Sequence, residues 1–175
     1  MWGKGMAKVL IIDDSKPIRE TLKAILASEN HKIFEAVDGD SGVDMARETT
    51  PDLIILDMNM PKMTGWEVAP ILRTHPNTRN IPIIALTADQ STQGREKAYE
   101  AGCDIFVTKP IDAGRLLLAL SAVSENYNAN GNRHENKEKQ ALRRVLVVDN
   151  DRVMRSLLTA ILKTLWTCRG IVPLL

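Results

Sequence analysis

Leu53-Ile54-Ile55-Leu56-Asp57-Met58-Asn59-Met60-Pro61 runs four aliphatic residues, without alternation, into an aspartate. A short unbroken apolar run closed by turn residues reads as a strand buried on both faces, as in parallel sheets. An acid at the C-terminal end of such a strand stands where open α/β sheets gather their chemistry. The ordinary alternative is an aspartate that caps the next helix or faces water in a loop. Three further stretches bear on the choice.

The first is Lys8 to Asp14, K-V-L-I-I-D-D, a second apolar run ending in acids. Ser15 is placed to cap the following helix, with Pro17 in its first turn, and Ile18, Leu22, Ile25 and Leu26 recur at helical spacing. The second is Ile81 to Thr87, a strand with Pro82 near its start. The third is Cys103 to Thr108, closed by Lys109-Pro110. Between them, His31 to Val37 reads as a strand, Asp38-Gly39-Asp40 as a turn and Val43 to Glu48 as a helix. Trp66 to Arg73 and Thr92 to Glu100 read as helices, the latter stopped by Gly102. Asp112 caps a last helix through Val123. Strand–helix alternation repeated in this way predicts an α/β fold, a doubly wound parallel sheet with helices on both faces. Its crossovers should be right-handed, and its C-terminal strand ends should meet in one crevice.

The charge balance is nearly even, 23 basic against 22 acidic residues for a net charge of +1, so nothing in it points to bulk electrostatic binding of nucleic acid. No apolar run has the length of a membrane span, and the first residues lack a signal-peptide core. Met6 is an alternative start. Cys103 and Cys168 lie far apart and suggest neither a disulfide framework nor a metal pair. A cytoplasmic location is expected.

Three units follow from these patterns: residues 7–124 as a complete domain, 125–143 as a polar linker, and 144–175 as the start of a second copy. With an offset of 136, residues 9–26 match 145–162 at eight positions: Val9, Leu10, Asp13, Arg19, Leu22, Ala24, Ile25 and Leu26. The copy stops after one strand and one helix, as a truncated or frame-altered chain would. Asp149 stands in place of Asp13, but Asn150 replaces Asp14, and no equivalent of Asp57 follows. Its apolar stripe, Met154, Leu157, Leu158, Ile161 and Leu165, predicts packing on the first domain or dimerisation.

The predicted topology brings Asp13, Asp14 and Asp57 together with Thr87 and Lys109. Three adjacent carboxylates raise one another's pKa unless a cation joins them. Oxygen donors with no histidine or cysteine favour Mg²⁺ over zinc. A carboxylate in that setting can attack a phosphoryl group and form an acyl phosphate. Phosphoryl transfer needs positioning and charge neutralisation above all, and a hydroxyl and an ammonium supply both.

D-D at 13–14, D-x-x-M-P-x-M-x-G at 57–65, Thr87-Ala88 and K-P at 109–110 together resemble the receiver domains of bacterial two-component response regulators. The resemblance covers about residues 7 to 124. It implies a flavodoxin-like (βα)5 sheet of strand order 2-1-3-4-5, an order that a chemotaxis receiver illustrates. It further implies that Asp57 is the phosphoacceptor, that Asp14 binds Mg²⁺ directly and Asp13 through water, and that the main-chain carbonyl of Asn59 completes the protein's share. Thr87 and Lys109 would each hold a phosphoryl oxygen, and Ala88 would leave the group room. The Lys109–Pro110 bond would be cis. Asn59 and Asp89 fall at positions that tune phosphate lifetime in the family. Phe106 matches the switch aromatic, often tyrosine in relatives. Phosphorylation would draw Thr87 inward, the ring would follow, and the surface of the fourth helix, fifth strand and fifth helix would change.

The reading is therefore a phosphorylation-dependent switch supplied by a sensor histidine kinase or histidine phosphotransfer protein, with slow self-dephosphorylation and no metabolic substrate. A downstream protein partner or output domain is expected, a homodimer is a further arrangement, and no nucleic-acid or membrane contact is evident. One alternative is a nucleotide- or flavin-binding protein of similar fold, but Asp13-Asp14-Ser15-Lys16-Pro17 has no glycine and its acids would repel phosphates. Others are an interaction or dimerisation module that works without phosphorylation, and the front end of a larger tandem-receiver regulator.

Overall fold

The computed structural model describes residues 7–27, 31–89 and 91–126, with residues 125 and 126 described by backbone alone. Five strands and five helices alternate: β1 Lys8–Ile12, α1 Lys16–Leu26, β2 Lys32–Ala36, α2 Gly39–Thr49, β3 Leu53–Asp57, α3 Gly65–Thr74, β4 Ile83–Thr87, α4 Thr92–Glu100, β5 Ile105–Thr108 and α5 Ala113–Asn126. The strands form one parallel sheet in the order β2-β1-β3-β4-β5. The expected doubly wound fold and its strand order are both found.

Alternation along the central strands divides the core in two. Leu10, Ile12, Ile54, Leu56, Ile83 and Ala85 pack with Val43 and Ala46 of α2, Val68, Ala69 and Leu72 of α3, and Ala98 of α4. Val9, Ile11, Leu53, Ile55, Ile84, Leu86 and Val107 pack with Leu22 and Leu26 of α1 and with Leu116, Ala119, Leu120 and Val123 of α5. Strands with both faces covered have no polar side to display, which is why their sequences run apolar without a break.

Several local expectations need correction. Asp38-Gly39-Asp40 is not a free turn: Asp38 caps α2, its carboxylate accepting from Ser41 N at 2.8 Å, and the helix starts at Gly39 rather than Val43. Gly39, expected within that turn, and Gly42 are close-packing positions of the helix. A Cβ on Gly42 would stand 2.7 Å from the Ile12 side chain, and one on Gly39 would meet Met63. Ser15 holds the N-cap position of α1 without a side-chain cap; its N–H instead donates to Asp13 Oδ1 at 2.8 Å. β4 begins two residues later than expected, after Pro82, which has no N–H to give the ladder. β5 likewise begins at Ile105, beyond the buried Cys103. α5 runs to Asn126, past the expected end at Val123 and into the first residues of the expected linker. The remainder of the linker and the second segment, 144–175, lie outside the described residues.

Among the described residues, the sheet ends at β2 on one side and β5 on the other. On β2, Lys32 lies over the Phe34 ring at 5.0 Å, and Glu35 accepts from Lys23 at 2.8 Å and from Arg19 at 3.1 Å. Among the described residues, no helix is long and apolar enough to cross a membrane.

Candidate functional site

The site lies at the C-terminal ends of the central strands. Asp13 follows β1 and Asp57 ends β3; both are buried, whereas Asp14 is exposed. One carboxylate oxygen from each of the three lies within 4.8 Å of the others. Lys109 follows β5 and reaches into this cluster, its Nζ 2.7 Å from Asp57 Oδ2 and 3.1 Å from Asp13 Oδ2. Sheet register brings it there. Asp57 pairs with Leu86, Thr87 with Thr108, and Lys109 N donates to Thr87 O at 2.7 Å. The Lys109–Pro110 bond is cis, as expected.

Asp57 Oδ1 accepts from Asn59 N at 3.1 Å, so both oxygens of this carboxylate have partners. Asn59 itself is exposed. Thr87 is buried, and its Oγ1 accepts from Asp89 N at 3.0 Å. That bond uses a lone pair and leaves the hydroxyl hydrogen for another acceptor. Ala88 is exposed beside it. Asp89 is turned toward α4: its carboxylate accepts from Ser91 N at 2.8 Å. Phe106 stands apart from the carboxylates. It is half-buried on β5, paired with Ala85.

Burial pushes the Asp13 carboxyl up, and the charge of Asp57 adds to this; the Ser15 N–H and Lys109 oppose it without cancelling it. Burial alone would lower the Lys109 ammonium, but its hydrogen bond and attraction to Asp57, joined by Asp13, outweigh that and raise it. The cluster thus holds more negative charge than one ammonium balances. Clustered hard oxygen donors with excess negative charge suit a divalent cation of the Mg²⁺ type. Asp13, Asp14 and Asp57 are therefore the residues that fit such an ion.

Two supporting residues have roles that the sequence reading did not assign, although Gly65 closes the motif at 57–65. Arg19, buried on α1, donates to the main-chain oxygen of Asp13 at 2.8 Å and to Glu35. A signal existed, since Arg19 is one of the eight positions repeated in the second copy. Gly65 is the other. A Cβ there would collide with the main chain of Asp57 and Met58, so only glycine lets the α3 N-terminus approach the end of β3.

The response regulator receiver domain profile matches residues 9–121. The phosphate regulon transcriptional regulatory protein PhoB of Klebsiella pneumoniae is 34% identical over 116 residues, 66% of this chain and 51% of PhoB. Response regulator PleD of Caulobacter vibrioides is 38% identical over 106 residues, 61% of this chain and 23% of PleD. The chain thus spans about half the length of PhoB and less of PleD. Among solved structures, the chemotaxis response regulator CheY4 of Vibrio cholerae superposes with a TM-score of 0.65 at 33% identity, over 68% of this chain and 99% of CheY4. Fold, strand order, acidic cluster and these likenesses agree: the chain belongs to the response regulator receiver domain family.

Proposed function

We propose that this receiver is a phosphorylation-dependent switch with Asp57 as its phosphoacceptor. The observation that carries the proposal is the meeting of buried Asp57 with Asp13, Asp14 and the Lys109 ammonium in one cluster. A carboxylate oxygen of Asp57 attacks phosphorus and forms a new P–O bond. The bond from phosphorus to the donor breaks, and the leaving group keeps its electron pair. That group is a histidine nitrogen of a kinase or phosphotransfer protein, or the acyl oxygen of a small donor. Lys109, hydrogen-bonded to Asp57, would pair with one phosphoryl oxygen, and the Thr87 hydroxyl hydrogen, left over by the bond from Asp89 N, would bind another. Asp13, Asp14, Asp57 and the main-chain carbonyl of Asn59 would hold Mg²⁺, which supplies charge neutralisation when bound.

The switch element is Phe106. Thr87 and Phe106 lie on adjacent strands on the face covered by α4, and buried Ala85 puts only a methyl group opposite the ring. Movement of Thr87 toward a phosphoryl oxygen opens space that the ring can enter, altering the α4-β5-α5 surface. That surface would meet a downstream protein partner or output domain in a cytoplasmic setting. The eight-position repeat supports a second receiver-like segment at 144–175, in which Asn150 stands where the first copy has Asp14.

The test is intact mass after incubation with acetyl phosphate and Mg²⁺, for wild type beside Asp57→Asn. One added phosphoryl group, dependent on Mg²⁺ and absent from the variant, is expected. No addition to folded wild type under trapping conditions would sink the proposal.

A further inference from the structure

α4 gives the core almost no apolar volume, because its buried positions are Gly94 and Ala98. Cations on aromatic rings make up part of the contact. Lys97 Nζ lies 4.6 Å from the ring centroid of Trp66 on α3. The Arg95 guanidinium carbon lies 5.1 Å from the ring centroid of Phe106 on β5. Tyr99, one turn beyond Arg95, meets the same ring edge-on at 6.3 Å and an interplanar angle of 89°. Two residues of one helix thus define where Phe106 rests.

A guanidinium is attracted to the face of a ring and not to its edge, so the contact depends on orientation as well as distance. A ring that turns toward Thr87 gives it up. We propose that Arg95 is a positioning residue: seated on Phe106, it holds the ring in the orientation the structure shows, which we assign to the unphosphorylated chain, and thereby sets how readily Asp57 is phosphorylated. The inference rests on the reading of Asp57 as acceptor and Phe106 as switch. By linkage, whatever favours the resting orientation opposes phosphorylation by the same factor. An exposed-to-partly-buried cation–π contact corresponds to roughly a two- to fivefold bias.

The experiment follows phosphorylation by acetyl phosphate with Mg²⁺, by intact mass over time, in wild type, Arg95→Ala, Arg95→Gln and Arg95→Lys, each also in a Phe106→Leu background. Arg95→Ala should be phosphorylated roughly two- to fivefold faster than wild type. Arg95→Gln keeps much of the packing stem and should follow Arg95→Ala, which covers the case of a poorly folded alanine variant. Arg95→Lys retains a cation and should return the rate toward wild type. None of the three should change the rate when residue 106 is leucine. Equal rates in wild type, Arg95→Ala and Arg95→Gln, or the same acceleration without the Phe106 ring, would overturn the role of Arg95 alone. A wild-type chain that takes no phosphoryl group would overturn the acceptor reading and the inference together.

Discussion

Lys109 Nζ stands 2.7 Å from Asp57 Oδ2, so the carboxylate proposed to react is held by the ammonium proposed to receive the phosphoryl charge. The same ammonium contacts Asp13 at 3.1 Å. Lys109→Met would leave two buried carboxylates facing each other without their cation. The expected cost is about 1–3 kcal/mol. Mg²⁺ should restore more stability to the variant than it adds to wild type, read as the shift in thermal midpoint with and without the ion. Because the Lys109 pKa is raised, its contribution in wild type is present below the ordinary 10.5 and is lost as pH rises through the raised value.

Gly65 permits a contact that no other residue can make, since the atoms a Cβ would strike are backbone. Gly65→Ala must push α3 away from the end of β3, at an expected cost of about 1–3 kcal/mol. Phosphorylation at Asp57 should slow as well, because that main chain carries the proposed acceptor. Urea midpoint and phosphorylation rate are the two measurements; an unchanged midpoint would contradict the close approach.

Arg73 ties three segments together from the end of α3. Its guanidinium donates to Gly102 O at 2.8 Å, Arg79 O at 3.0 Å, Ile81 O at 2.6 Å and Asp104 Oδ2 at 2.8 Å. Asp104 Oδ2 also accepts from Ile83 N at 2.9 Å, where β4 begins. Arg73→Met removes the hydrogen bonds that Arg73 gives these acceptors and the cation beside the half-buried carboxylate, and is expected to destabilise by about 3 kcal/mol. Chemical denaturation reads this directly, and Asp104→Asn should cost less, because the arginine keeps its three carbonyl partners.

Acid stability follows from four carboxyls held below their ordinary range. Lys23, and secondarily Arg19, lower Glu35; hydrogen bonds from Ser41, Thr64 and Ser91 lower Asp38, Glu67 and Asp89. A lowered folded-state pKa contributes stability that is present above the unfolded value and lost as pH falls through the folded one. The ordinary values are 4.5 for Glu35 and Glu67 and 3.8 for the two aspartates. The thermal midpoint should therefore decline as pH falls below 4.5, and Glu35→Gln should flatten the decline. A midpoint independent of pH in that range would refute this account.

The strands were legible because β1, β3 and β4 are buried on both faces and so write themselves as unbroken apolar runs. The site was legible for the same reason: its acids and Thr87 stand at the ends of those runs, and parallel topology gathers such ends. The start of α2 was not, because Gly39 and Gly42 look like breakers until Met63 and Ile12 are seen against them. Arg73 was illegible because its partners lie up to 31 residues away and three are main-chain oxygens, which carry no side-chain signature. The resting place of Phe106 was equally hidden, since Arg95 and Tyr99 reach it only once α4 has docked.

The β2 edge has a consequence for solubility. An outer strand offers unpaired backbone groups to any other extended chain. Here Lys32 and Glu35 flank that ladder, and Glu35 is engaged by Lys23 and Arg19. An incoming strand would have to strip water from this charged cluster before gaining its first backbone hydrogen bond. The ion pairs that anchor α1 to β2 thereby also discourage sheet-to-sheet growth at this edge, a guard against aggregation.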